Sequence, residues 1–502
     1  MAPASSLPLI LSGIVPLALA LLYLLSRRHQ PKSTITFPPG PKSPDFPALD
    51  AWVKCQEWGR EYGDLVYIRE KNTLITNSSR TAVDLLEKRA RIYSSRETSW
   101  TAILCGGERV LSLQEHSAKW RTKKKLYNQI FRQSAISRFY PAQYKKVLDL
   151  TRSLVATPEQ IMQHTLIFSQ SVIYASLYGL DIGYDDPLSR KGKETVDIFA
   201  RMLSSGFPTL ERFPWLRFMP SFFPGCGFKQ TVLELRENYS ALDTIPFDRA
   251  VNNFKLGTGT SVVAELAFEN EGKPADIEMI KGMGSTSFIA ASDTTMSSVT
   301  SFLLTMTLHP DVQAKGRAEI DRVIGRTRLP TFEDRKSLPY VESIYREIMR
   351  LHPPLPLGVN HVSTEDDYYN GYHIPKGCVI IPNIWAMNRD PNVYSEPNKF
   401  IPERFLDSQS GPFTSINDIY AYGFGRRVCV GRYMADNTVW LAIAYILATL
   451  DLRKAKDNEG NEINIPGDFT KTFFRHPMPY ISSILPRDPQ ARDLISATTE
   501  LT

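Results

Sequence analysis

A mainly helical chain with short strands in two places is what the sequence predicts, and three observations predict it. Asp276 to Leu308 contains no proline, begins with a residue of helix-capping type and stops at His309-Pro310, so it reads as one helix of about 50 Å. An apolar helical stretch follows Cys429 and runs to about Leu450. Strands are expected as a pair around Asp64 to Thr76 and as a hairpin over Gly371 to Asn383, where Gly377 follows Pro375-Lys376.

The 502 residues show no composition break or low-complexity linker, so one large domain is expected. Hydrophobic residues at 42% and charged residues at 22% exclude disordered and fibrous classes. A net charge of +6 is too small to imply nucleic acid. Five cysteines, an odd number without a Cys-x-x-Cys pair, support neither a disulfide framework nor a zinc module, and they fit a reducing, cytosol-facing location.

In chain order, Leu7 to Leu25 is nineteen residues without a charge, enough at about 1.5 Å per residue to cross a hydrocarbon core of about 30 Å. Residues 1–28 therefore read as a membrane anchor. A cleaved signal peptide competes, but it needs basic residues in front, a shorter apolar run and a small-residue cleavage site. Arg27, Arg28, His29 and Lys32 follow the span and leave the body of the protein on the cytoplasmic side. Residues 29–49 include Pro38-Pro39-Gly40-Pro41, a stiff elbow, because prolines fix φ and forbid helix. Residues 50–502 form the main domain. It opens with a helix, the strand pair and a second helix through Ala82 to Ala90.

Trp120 and Lys124 fall one turn apart on one helical face, with Arg121, Lys123 and Lys125 around them; a solvated basic face is the competing reading. Aromatic residues crowd between Phe199 and Phe228, among them Phe207, Phe213, Trp215, Phe218, Phe222 and Phe223. They read as a mobile lid that touches a bilayer and lines an apolar channel, or as plain core. At the centre of the long helix, Ala290-Ala291-Ser292-Asp293-Thr294-Thr295 puts an acid beside an alcohol. Small residues there leave room for a flat group, and a hydroxyl can bond back to the carbonyl four residues earlier. Asp-Thr-Thr alone is more often a helix N-cap, but the helix-compatible residues before it argue against that. Glu347 and Arg350 pair at i and i+3 on a helix, a spacing too common to mean much by itself.

One cysteine lies in Tyr422-Gly423-Phe424-Gly425-Arg426-Arg427-Val428-Cys429-Val430-Gly431-Arg432. Gly423 and Gly425 suit a tight bulged loop, and Gly431 suits a flat group lying against the backbone. At the start of the following helix, unpaired N–H groups and the positive dipole end favour the Cys429 thiolate. One cysteine cannot build a closed zinc or iron-sulfur site, which takes about four ligands, but one axial thiolate suffices for a haem iron. By spacing alone a buried structural thiol remains the commoner reading.

Gly-x-Arg-x-Cys-x-Gly with an aromatic residue seven positions before the cysteine resembles the haem loop of the cytochrome P-450 family. Tyr422 stands where the family usually has Phe, Val430 where Pro is common, Lys124 where Arg is usual and Ala291 where Gly is usual. The resemblance implies a predominantly α domain with a smaller β-rich region, and haem b between the long central helix and the helix after the cysteine loop. It implies Cys429 as the axial thiolate, which donates electron density that helps split the O–O bond. It implies Trp120, Lys124, Arg121, His361 and Arg427 as contacts of the haem propionates, Gly425 and Gly431 beside the cofactor, and Asp293 with Thr294 as the proton relay. Glu347, Arg350 and Arg404 of Pro402-Glu403-Arg404-Phe405 are implied as a buried charge triad, where matched groups satisfy one another. Phe473-Phe474-Arg475-His476-Pro477 reads as a loop that closes the pocket.

The expected function is a monooxygenase that uses O2 on a hydrophobic small molecule. Phe222-Phe223-Pro224-Gly225 is similar to the same region in fungal secondary-metabolite members. No nucleotide-binding glycine loop occurs, so the implied NADPH-cytochrome P-450 reductase is a separate protein. The implied location is the endoplasmic reticulum membrane, catalytic domain on the cytoplasmic side. A haem-thiolate isomerase or dehydratase, and a haem-binding protein without turnover, are the alternatives; neither needs the relay.

Overall fold

The computed structural model describes residues 36–42, 46–47, 49–406 and 415–497, and the anchor expected over residues 1–28 falls outside them. Among the described residues no helix is long and apolar enough to cross a membrane. The longer helices in chain order are α1 (Ala51–Tyr62), α2 (Ala118–Phe131), α3 (Tyr140–Ala156), α4 (Ile161–Ile173) and α5 (Pro187–Ser205). They continue with α6 (Phe228–Lys255), α7 (Pro274–Leu308), α8 (Pro310–Val323), α9 (Pro339–Leu351) and α10 (Arg432–Thr449). The mainly α architecture follows the expectation.

Helix α7 starts two residues before the expected Asp276, because Pro274 occupies the first turn, where its missing N–H costs nothing. Asp276 then sits in that turn against the positive dipole end. The helix ends where His309 precedes Pro310, the first residue of α8. Residues from Thr295 to Thr307 are buried without a break, as are those from Thr438 to Thr449 in α10, so both helices are core elements. They pack on each other, and α4 lies along α7. There the Ser169 hydroxyl donates to the Ser292 carbonyl at 2.6 Å, a closeness that small side chains permit.

The β part comprises eight strands among the described residues: β1 (Leu65–Ile68), β2 (Thr73–Thr76), β3 (His361–Val362), β4 (Asp367–Tyr369), β5 (Tyr372–Ile374), β6 (Val379–Pro382), β7 (Leu450–Lys454) and β8 (Ser482–Pro486). The first sheet runs β1-β2-β6-β3, with β2 and β6 parallel in the register Thr73 to Val379. The hairpin expected over Gly371 to Asn383 is corrected. Strand β5 pairs with β4, whereas β6 crosses to β2 and β3. The tight turn is Asn370-Gly371, both at positive φ (51° and 82°), which matches the right-handed twist of paired strands.

Candidate functional site

Beside their contact, α7 and α10 part around a cavity. Ala290, Ala291, Thr294 and Ser298 line it from α7, Met434, Ala435, Thr438 and Val439 from α10, and the loop from Ala421 to Gly431 forms its floor. Cys55, Cys105, Cys226 and Cys378 are buried; Cys429 lines this cavity, and the accessible surface of its side chain faces that interior space, enclosed by protein. It stands three residues before α10, whose N-cap is Gly431. Burial pushes the Cys429 thiol up, while the Gly431 N–H and the Arg432 charge pull it down. Burial wins in the bare protein, against the expectation that the helix end alone favours thiolate. A metal cation at the sulfur would reverse the balance.

The glycines divide. A Cβ on Gly431 would meet nothing within 4 Å, and the residue lines the cavity, so a flat group has room against its backbone. Gly425 is not among the lining residues. It has φ +51°, and a Cβ there would lie 2.2 Å from the Leu86 carbonyl oxygen, so its role is to let the loop pack on the segment before it.

Among the basic side chains that line the cavity are Arg96, Lys124 and Arg427, all cationic, and the imidazole of His361. Burial holds Arg96 well below its ordinary value, with Arg427 adding repulsion. Burial and then Arg427, Arg432 and Arg426 pull Lys124 down to about 8. Burial alone takes Arg427 to about 10, and His361 is pushed well below its usual range by burial and Arg96. No carboxylate acts on any of the four. Such a set fits the two carboxylates of a haem, which would restore charge balance.

Each of these groups is held by local structure. Arg96 donates to the carbonyls of Ser112, Val359 and Asn360, and Arg427 donates to those of Ser94 and Gln114, each at 2.7 Å. His361, on β3, has its Nδ1 2.7 Å from the Tyr93 carbonyl. Trp120 lines the cavity, but its indole N–H donates to the Leu111 carbonyl at 3.1 Å. Its ring lies 4.1 Å from the Arg427 guanidinium and 5.1 Å from the Lys124 ammonium. Arg121 is brought elsewhere: it is exposed and lines an outer groove with Lys125, Arg132 and Arg432.

On α7 the Thr294 hydroxyl donates to the Ala290 carbonyl at 2.8 Å, as its spacing suggests. Asp293 is not among the lining residues; its Oδ2 lies 3.5 Å from His476 Nε2. Thr295 lines the cavity as well. Phe473 and Phe474 reach the cavity from the C-terminal loop.

Glu347 is fully buried and joins both arginines. Arg350 donates to its two oxygens at 2.6 and 2.7 Å, and Arg404 to one of them at 3.1 Å. The Ile401 N–H adds a bond at 2.9 Å. The aromatic stretch divides between its two expected parts. Phe213, Trp215, Phe218, Phe222 and Phe223 are exposed, Phe222 at 86%, while Phe199 and Leu203, at its start on α5, line the cavity together with Val196, Val110 and Leu113.

Arg96 and His476 went unassigned in the sequence. Arg96 lies in an aperiodic stretch, and only folding brings it to the cavity. The family profile described as Cytochrome P450 matches residues 50–481. The chain is 34% identical to Cytochrome P450 monooxygenase 136 of Postia placenta, over 98% of this chain and 97% of that protein. It is 33% identical to Cytochrome P450 monooxygenase COX1 of Coprinopsis cinerea, over 97% and 98%. Identity to Cytochrome P450 monooxygenase claR of Ampulloclitocybe clavipes is 31%, over 96% and 92%.

Proposed function

The chain belongs to the cytochrome P450 family, and from that premise we propose a membrane-anchored haem-thiolate monooxygenase that oxidises a hydrophobic small molecule in fungal secondary metabolism. Membership makes it an oxidoreductase and implies haem held by a cysteine thiolate. One observation carries the finer reading: a largely apolar cavity joins Cys429 to Arg96, Lys124 and Arg427, and no carboxylate acts on these three cations.

Haem, when bound, supplies the activation of dioxygen, one atom of which goes to the substrate while the other leaves as water. Cys429 would ligate it, and Arg96, Lys124, His361 and Arg427 would bind its carboxylates, with the Trp120 ring packed against the Arg427 guanidinium. The apolar side chains of α5 and the loop around Leu113 exclude water and take up the substrate. Thr294, whose hydroxyl faces the cavity side of α7, passes a proton inward, and Asp293 resupplies it. Electrons come from a separate NADPH-cytochrome P-450 reductase, drawn to the basic outer groove of Arg121, Lys125, Arg132 and Arg432. The endoplasmic reticulum membrane holds the anchor, and the exposed aromatic side chains from Phe213 to Phe223 rest against it.

The test is spectral and then catalytic. The reduced wild type should show the red-shifted carbon monoxide band and Cys429→Ala should lose it; a band that survives removes Cys429 as the ligand. Metabolite profiling of a host that expresses the chain with a fungal reductase should give a product that depends on NADPH. Product formed without reductase would mark a peroxide-rearranging enzyme, and no product a binding protein. Deleting residues 1–28 should release part of the protein from membranes with the band intact.

A further inference from the structure

His476 belongs to the same loop that carries Phe473 and Phe474 into the cavity, and it meets the acid of α7 from outside. Its Nε2 lies 3.5 Å from Asp293 Oδ2, and the two side chains keep 22% and 13% of their exposure. Its Nδ1 is buried and has no hydrogen-bond partner among the described residues, so Asp293 alone orients the ring by a polar contact. The loop itself is fixed. The Ser297 hydroxyl, one turn beyond Asp293, donates to the Arg475 carbonyl at 2.6 Å, and the His476 N–H donates to Thr470 Oγ1 at 3.0 Å. Of the charged groups near the ring, Asp293 faces it from α7. On its own loop, Arg475 turns its guanidinium to His352 Nδ1 at 3.2 Å and over the Phe469 ring at 3.7 Å.

We propose that His476 is the positioning residue of Asp293. It holds the carboxylate beside Thr294 but outside the cavity wall, so the loop that bears Phe473 and Phe474 sets the place of the acid. The inference rests on the reading of Asp293 and Thr294 as the relay.

The test uses the full-length holoprotein with a fungal reductase, NADPH and oxygen, without substrate, and reads hydrogen peroxide released per NADPH. Thr294→Ala should raise that share several-fold. His476→Phe, which keeps the ring volume but has no N–H, should raise it likewise, whereas His476→Gln, which keeps a donor, should stay near the wild type. If Thr294→Ala leaves the share unchanged, the relay reading itself fails. If Thr294→Ala raises it and His476→Phe does not, or His476→Gln does as much as His476→Phe, only the positioning role fails. A second measurement needs no turnover. With ¹⁵N-labelled histidine, eight ring signals are expected at fixed pH, and Asp293→Asn should displace the one signal that His476→Gln removes, because the carboxylate is the polar neighbour of that ring. A His476 signal that stays in place overturns the proposal.

Discussion

The main-chain N–H of Cys429 donates to the Tyr422 carbonyl at 2.8 Å, a bond that closes the loop presenting the sulfur. The Tyr422 side chain leaves in the other direction, and its hydroxyl lies 2.9 Å from that of Tyr345 on α9, where both rings are buried. Tyr422→Phe should therefore keep the carbon monoxide band, since the closing bond is main-chain. It should lower stability by about 1–3 kcal/mol, because the Tyr345 hydroxyl is left buried and unpaired. Adding Tyr345→Phe should recover most of the loss. Denaturant midpoints of the three variants check it.

Glu347 carries the charge that two buried arginines share. Glu347→Gln should cost about 3–5 kcal/mol, since the arginines remain in the interior without a counter-charge. The measurement is the urea midpoint together with haem content. A change below about 1 kcal/mol would mean that the main-chain carbonyls bonded to Arg350 already satisfy it.

The two loop glycines should fail in different ways. Gly425→Ala drives a Cβ toward the Leu86 carbonyl at positive φ, so it should destabilise the apoprotein by about 1–3 kcal/mol. Gly431→Ala meets nothing in the protein and should leave apoprotein stability unchanged while haem retention falls. Thermal unfolding of apoprotein and the haem-to-protein absorbance ratio separate the two.

Lys124 supplies a pH signature. Its folded value is drawn from the ordinary 10.5 down to about 8, so between those limits the unfolded chain binds more protons than the folded one. Stability of the apoprotein should rise with pH across that window and should be lowest, as far as this group is concerned, below pH 8. Lys124→Met should flatten the rise. Haem should flatten it too, because its carboxylates favour the ammonium.

Local signals made much of this legible. The proline-free run became α7, the apolar run became α10, and the frame of glycines around Cys429 became a cavity floor. Each is contiguous in sequence, so pattern and structure coincide. What escaped was set by distant partners. Strand β6 lies outside the expected hairpin because its hydrogen-bonding edges are taken by β2 and β3, and the Asn370-Gly371 dipeptide at the very start of that segment is the better turn signal. Arg96 and His476 had no periodic context. The bond from the Trp120 N–H to the Leu111 carbonyl joins residues nine positions apart across a loop, which no helical spacing reveals.

Pairing of β2 with β6 also governs how the polypeptide is born. Asn77, just past β2, accepts a hydrogen bond at 2.8 Å from Asn383, just past β6, and the two are 306 positions apart in the chain. On the ribosome, at about 5–20 residues per second, β2 waits roughly 15–60 s for its partner to emerge. Throughout that interval the nascent chain carries an apolar strand with an open edge, the kind of edge that invites pairing with other chains. His361 is made within that same late stretch and Cys429 later still, so the site that holds the cofactor is complete only near the end of synthesis. Synthesis slowed before Val379 should thus be more damaging to yield than the same delay after α10.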